Sequence, residues 1–450
     1  MRKFVFLFIS LCFIPVLVLA DASSVDYEKN WPQWRGPLAS GVSPYGKAPI
    51  KWDENKNIKW KIEIPGKGHA TPVTWDNLIF VLTAAETDKK ISSKKEVPAK
   101  PDQGQGQRPP MNTTTENVYK FMVLAIDRSD GSIKWQHTAR EELPHEGTHP
   151  TSTWASGSPA TDGEHVFAYF GSRGLYCYDM QGKLIWDKDF GDMTMRMTWG
   201  EGNSPALYKD TIVVTWDHEG QSFIIALDKK TGKELWKVDR DETTSWATPL
   251  IVESNGKPQV ITSATSKIRS YDLATGQLLW ESTGMTMNAI PSPVAANGMV
   301  YIMSGFRGSA LQAIRLSEAK ENIAGSTALV WTLDKDTPYT PSPLLYDDML
   351  YFTKFLNNSL SCYNASTGEA YYKVQKLEGL GMGLYASPVG ADGKIYIPNR
   401  NGKTQVIKHG AQFEILATNK LDDSFSASPV IVDNELYLRG EKYLYCITEK

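Results

Sequence analysis

The stretch LYCYDMQGKLIW, Leu175–Trp186, decides how this chain is read. It opens as a short apolar run, turns between an aspartate and a glycine, and closes on a tryptophan. The chain writes it again as FIIALDKKTGKELW at Phe223–Trp236, IRSYDLATGQLLW at Ile268–Trp280 and MVLAIDRSDGSIKW at Met122–Trp135. Looser copies end at Trp331 and Tyr372. Each copy reads as a strand, a tight turn and a second strand. The aspartate bonds the turn backbone, and the glycine supplies the positive φ that closes the hairpin.

A second recurring word is a Ser/Thr–Pro pair leading into a small apolar strand, with prolines at Pro72, Pro159, Pro205, Pro249, Pro293, Pro343, Pro388 and Pro429. Their spacings are 87, 46, 44, 44, 50, 45 and 41 residues. Proline at the first position of a strand costs no ladder hydrogen bond. A polar turn such as ATDGEH, a second strand such as VFAYFG, and the LYCYD-type hairpin complete each unit. Four short antiparallel strands at a period of about 45 residues predict propeller blades.

Eight proline strands predict eight blades, yet the last unit ends after three strands. The missing strand stands at the other end, in NIKWKIEIP around Trp60. The expected fold is therefore all-β: an eight-bladed β-propeller of four-stranded antiparallel blades, closed by an N-terminal strand. Closure removes the sheet edges that invite aggregation. The outer-strand column then reads Trp60, Trp135, Trp186, Trp236, Trp280, Trp331, Tyr372 and Leu416, large side chains suited to blade docking.

The periodicity resembles the pyrroloquinoline-quinone-like repeat of the BamB and quinoprotein alcohol dehydrogenase-like superfamily. The words that carry the resemblance are the strand with its aspartate, the Thr-Gly-Lys turn and the tryptophan, as in ALDKKTGKELW. The opening WPQWRGP, Trp31–Pro37, looks like the start of secreted bacterial proteins of this class. The resemblance implies two roles: a non-catalytic binding or protein-interaction scaffold, including an accessory role in outer-membrane barrel assembly, or a quinone- and Ca²⁺-dependent dehydrogenase acting on alcohols or aldoses. Dehydrogenases of this fold often carry two consecutive cysteines beside the quinone, and this chain has no Cys–Cys pair. The scaffold is the favoured expectation, with no cofactor.

The first twenty residues carry two early cations, an apolar run and small residues before Asp21, which predicts a cleavable secretory signal over 1–20. Cys12 lacks the preceding small residue of a lipoprotein signal. A periplasmic or secreted protein is expected, with a lead-in over 21–56 packed on a propeller over 57–450. Residues 84–120 interrupt the first blade and are rich in Lys, Pro, Gln and Gly, predicting a loosely held loop. A formal net charge of -3 offers no basic field for nucleic acid. A monomer meeting an envelope protein or a small ligand on the propeller face is expected. Cys177, Cys362 and Cys446 fall in a column of small residues in non-adjacent blades, which predicts buried free thiols rather than a disulfide.

Non-repeat residues of chemical interest gather in loops expected on one face: His69, His145, His149, Trp154, Arg196, Trp199, Asp217, His218, Glu219, Trp246, Arg307 and Arg400. Imidazoles, carboxylates, arginines and indoles at one mouth make a candidate binding pocket. No pair has metal-type helical spacing, so no metal site is expected, and no catalytic residue is assigned. Asn203, Asp217 and Glu219 are the oxygen donors nearest in kind to a Ca²⁺ site.

Overall fold

The computed structural model describes residues 22–91, 114–354 and 357–449. It is an all-β ring of eight antiparallel blades, seven of them four-stranded. The blade from Leu250 to Thr283 gains a fifth element where Glu321–Asn322 runs parallel to its outer strand. The final blade is completed from the other end of the chain. Ile58–Glu63 pairs antiparallel with Tyr443–Ile447, placing Trp60 opposite Cys446.

The repeat word acquires a physical meaning at each blade. Ala125, Cys177, Ala226, Ser270, Ala313, Cys362 and Cys446 lie directly across the ladder from Trp135, Trp186, Trp236, Trp280, Trp331, Tyr372 and Trp60. All seven small residues are fully buried. A β-bulge adjoins the pairing in all seven of these, which re-aims the ring. The indole then crosses to the next blade, where its Nε1–H donates to a turn carbonyl. Trp60 reaches Arg128 at 2.9 Å, Trp135 reaches Met180 at 3.0 Å, Trp186 reaches Lys229 at 2.9 Å and Trp236 reaches Leu273 at 2.8 Å. The turn glycine completes the joint: a Cβ on Gly232, whose φ is +68°, would stand 2.7 Å from the Trp186 ring. Where the next turn has no such glycine, at Leu316–Ala319, Trp280 bonds Gln259 of its own blade instead.

Two expectations are corrected. In the seventh blade Val406 pairs with Ala417, not Leu416, because Ala417 stands nine positions after Lys408 where Trp236 stands eight after Asp228: the turn is one residue longer, while the bulge is the same one the other blades carry. The loop expected over 84–120 is strand at both flanks. Leu78–Lys90 pairs with Asn117–Asp127 through Ala84↔Phe121 and Glu86↔Tyr119, and buried Phe121 meets Phe170 edge-on at 5.7 Å. Apolar side chains on one side of this hairpin extension hold it to the second blade. Residues 92–113, and the leader expected over 1–20, lie outside the described residues. Among the described residues no helix is long and apolar enough to cross a membrane. Cys177, Cys362 and Cys446 are free thiols, all buried.

The lead-in crosses the face opposite the candidate loops. Thr74 and Thr161 donate backbone N–H groups to Trp31 and Pro32 carbonyls at 2.9 and 2.8 Å, and Leu345 donates to Ser40 at 3.1 Å. Gly390 bonds both Gly41 and Ser43 at 2.9 Å. One segment thus ties the inner strands of blades on both sides of the axis, which positions Trp34 and Arg35 beneath the channel.

Candidate functional site

Eight residues begin the eight inner strands: Thr71, Ser158, Ser204, Thr248, Ser292, Ser342, Ser387 and Ser428. Each precedes a proline that has no N–H. The residue's own N–H therefore turns sideways and donates to the hydroxyl of its neighbour in the next blade. The bonds run at 2.9 Å from Thr71 to Ser158 and on to Ser204, then at 3.0 Å to Thr248 and 3.2 Å to Ser292. They continue at 2.9 Å through Ser342, Ser387 and Ser428, which returns to Thr71 at 3.0 Å. The belt is closed. Every hydroxyl oxygen accepts its neighbour's N–H and keeps its own O–H to donate.

Above the belt lies a cavity of about 630 Å³. Below it Trp34 rises from the lead-in and donates its Nε1–H to Ser292 Oγ at 3.0 Å. Trp34 lines both this cavity and a second one of about 800 Å³ on the opposite face, so it separates the two. Two contacts span the mouth. Trp199, between the second and third blades, meets Phe306 of the fifth blade edge-on at 6.2 Å. Arg400 of the seventh blade donates to the Thr151 carbonyl, between the first and second blades, at 3.4 Å.

The wall is aromatic on one side. Trp199 and Trp246 lie 6.4 Å apart, Phe306 stacks on Tyr339 at 4.9 Å, and His149 meets Trp199 edge-on at 6.0 Å. Trp246 is fixed by its Nε1–H bond to Gly200 at 2.7 Å. Met197, Thr198 and Arg307 take positive φ values of 51°, 51° and 52° at the mouth. Such backbone strain in residues that carry a Cβ clusters at functional loops.

Electrostatically the pocket is cationic. Among the described residues neither the Arg196 nor the Arg307 guanidinium has a carboxylate within 4.0 Å. Burial, then the charges of Arg400, Arg439 and Lys67, push the His69 imidazole down to about 3, so it is neutral. His149 is lowered by burial and by Arg400. Glu201 is the one carboxyl among the described lining residues, and it is bonded to the Ser172 hydroxyl at 2.5 Å and backbone N–H at 2.7 Å. Burial raises it above the usual carboxylate range.

Of the loop residues singled out from sequence, His69, His149, Arg196, Trp199, Trp246 and Arg307 line this cavity. Arg400 sits at its edge, over the Tyr385 ring at 4.6 Å and 3.6 Å from Glu441. The others are committed elsewhere. Asp217 holds Arg240 through two bonds of 2.8 and 3.0 Å inside the third blade. His218 accepts from Thr194 N–H at 2.9 Å, and Glu219 accepts from the Thr244 hydroxyl at 2.8 Å. His145 bonds Arg173 and the Met193 carbonyl, both at 2.7 Å, which sets its Nε2–H tautomer. Trp154 donates to the Glu146 carbonyl at 3.2 Å and packs on Tyr119. Sequence reasoning passed over Trp34, Phe306, Tyr339, Tyr385 and the hydroxyl belt. The belt had a signal, a hydroxyl residue before proline in every unit.

Asp162, Glu164 and His165 also converge, away from this pocket, but Asp162 is paired with Lys229 at 2.8 Å and with the His165 ring at 3.2 Å. That cluster is a filled hairpin corner.

Ring closure by an N-terminal strand, the repeated indole joints and the axial pocket define the class: a pyrroloquinoline-quinone-like eight-bladed propeller. Residues 120–374 match the family described as outer membrane protein assembly factor BamB, and the chain belongs to that family. The BamB of Shewanella oneidensis is 24% identical over 64% of this chain and 66% of its own length. That of Yersinia pestis is 27% identical over 29% of this chain and 32% of its own length. This chain thus spans less than two thirds of either relative. Crystal structures share the fold: BamB from Moraxella catarrhalis at TM-score 0.55 and 15% identity, over 75% of this chain and 95% of that one. Quinohemoprotein alcohol dehydrogenase from Comamonas testosteroni matches at TM-score 0.61 and 11% identity, over 94% of this chain and 81% of that one.

Proposed function

We propose that this chain is a non-catalytic binding propeller of the cell envelope, receiving a compact ligand in its axial pocket. The observation that carries the reading is the pocket's enclosure: sealed below by Trp34, narrowed above by the Trp199–Phe306 contact, and walled by aromatic rings with arginines that meet no carboxylate among the described residues. Its volume of about 630 Å³ falls in the range of small-ligand sites. The same wall supports binding over turnover. Acid–base chemistry needs a group titrating near the working pH, whereas His69 is held neutral and Glu201 is tied to Ser172. The envelope location rests on the leader expected at the N-terminus and on relatives named as outer membrane assembly factors.

A Ca²⁺- and quinone-dependent dehydrogenase is the second reading, and the donor set fits it poorly. A hard cation needs several oxygen ligands converging on one point. Asp217 is occupied by Arg240 and Glu219 accepts from Thr244, and neither these two nor Asn203 is among the residues lining the cavity. The names of the relatives support a barrel-assembly role, in which the binding partner would be an envelope protein.

The experiment is a comparison of wild type with Trp199→Ala, following tryptophan fluorescence and calorimetric heat against a panel of small acids, pyrroloquinoline quinone with Ca²⁺, and envelope proteins in pull-down. Binding lost in Trp199→Ala at an unchanged melting temperature supports the pocket. Full binding in that variant refutes it. Tight quinone binding with dye reduction favours the dehydrogenase.

A further inference from the structure

We propose that the axial pocket recognises an acidic saccharide, one or two pyranose rings carrying a carboxylate or a sulfate. This rests on the pocket reading above and adds the ligand's chemistry.

Three features of the wall converge on that class. The first is hydroxyl density. The belt forms the floor, and each of its hydroxyls, after accepting a neighbour's N–H, retains a proton to donate. Ser152 and Ser156 add to the wall, and Thr340 and Ser426 line it with hydroxyl oxygens that have no partner among the described residues. A wall of groups that both donate and accept matches a ligand whose substituents do the same. A purely aromatic acid would leave these groups unanswered.

The second feature is flat apolar surface. Trp199 and Trp246 are inclined by only 31°, and Phe306 lies against Tyr339 at an interplanar angle of 29°. Indole and phenyl faces accept the C–H face of a sugar ring, while the ring's hydroxyls remain at its edge to meet serine and threonine. One ligand satisfies both kinds of wall.

The third feature is charge. Arg196 and Arg307 reach the cavity without a carboxylate partner among the described residues. A guanidinium fork matches a carboxylate or a sulfate oxygen pair. Arg439, itself buried, leaves its Nε and Nη2 unbonded among the described residues and is close enough to lower His69. The opposing carboxyl, Glu201, is turned onto Ser172 and held toward its neutral form. A neutral sugar would use the hydroxyls and rings and leave both arginines unmatched.

The test uses the full chain from Asp21 with digalacturonate, its dimethyl ester, a sulfated disaccharide and benzoate, followed by tryptophan fluorescence and calorimetry. Digalacturonate is expected to bind at least tenfold more tightly than its ester, which has the same rings without the charge. Arg307→Gln is expected to erase that tenfold preference by weakening the acid far more than the ester, at an unchanged melting temperature. Arg307 is exposed, so this variant keeps its core. Binding of the sulfated sugar in place of digalacturonate supports the proposal and assigns the acid as sulfate. Equal binding of ester and acid overturns it, as does the failure of every sugar. Benzoate bound in the wild type and lost in Trp199→Ala, with no sugar bound, overturns the saccharide but retains the pocket. A panel in which nothing responds to Trp199→Ala removes both.

Discussion

Replacing Ser342 with alanine removes one link from the belt on which the pocket stands. Its hydroxyl accepts the Ser292 N–H at 2.9 Å, and its own N–H, which the substitution keeps, donates to Ser387. The Ser292 N–H is then a buried donor without an acceptor, and Pro293 beside it offers no alternative pairing. Leaving such a group unsatisfied costs about 1–3 kcal/mol. The lower end applies if pocket water reaches the gap. Ser342→Thr is the control, because Thr71 and Thr248 already fill two belt positions and accept N–H bonds of 3.0 Å. The assay is urea unfolding followed by tryptophan fluorescence, comparing midpoints at constant slope. Alanine should lower the midpoint by the equivalent of that loss, and threonine should leave it near wild type. Ser158→Ala, on the blade four places round the ring, should add to Ser342→Ala, since the two share no bond. If Ser342→Ala unfolds at the wild-type midpoint, the N–H is satisfied by water and the belt is a consequence of ring closure, not a support for it.

Other perturbations test other parts of the structure. Asp217→Asn leaves the fully buried Arg240 charge without its counterion and should cost about 3–5 kcal/mol, read as a fall in the denaturation midpoint with ligand binding retained in the folded fraction. Burial, with Glu201 and Asp192 nearby, raises the Glu146 carboxyl to about 8 from its ordinary 4.5. A raised carboxyl stabilises the fold below the unfolded value and loses that contribution as pH climbs toward 8. Glu146→Gln should therefore flatten the fall in melting temperature between pH 4.5 and 8, and an unchanged slope would contradict the burial of this group. Burial also pushes the Cys362 and Cys446 thiols up to about 12, so a thiol reagent at pH 8 should label the folded chain from Asp21 onward at none of Cys177, Cys362 and Cys446. Rapid labelling before unfolding would overturn their placement in the core.

The parts of the fold that were legible in sequence are those whose cause is local. The aspartate and glycine of DKKTG act within five residues: Asp228 Oδ1 accepts the Thr231 N–H and hydroxyl at 2.8 and 2.7 Å, and Gly232 adopts its positive φ. The small residue opposite each tryptophan is likewise a neighbour across one hairpin. Leu416 was misread for Ala417 because counting from the turn assumes the turn length of the other blades, and the turn after Lys408 is one residue longer. The flanks of the 84–120 segment were misread because its composition hid the buried Val118, and Phe121 just beyond its end packs on Phe170 of the second blade.

The candidate site divides along the same line. By itself, the sequence determined which face each loop occupies, because strand order assigns every connection to the top or bottom of a blade. It did not determine radius. Asp217 and His218 share a face with Trp199, yet Asp217 turns into its own blade toward Arg240 while Trp199 leans inward to Phe306. Only the closed ring decides this, because the partners are brought together from opposite sides of the axis. Arg400 meets Thr151 across 249 positions, and Trp34 meets Ser292 across 258. A repeat encodes the contacts each unit makes with its neighbour. The pocket's floor repeats neighbour contacts, but its closure is made of contacts that skip neighbours, and those exist only once all eight blades have closed.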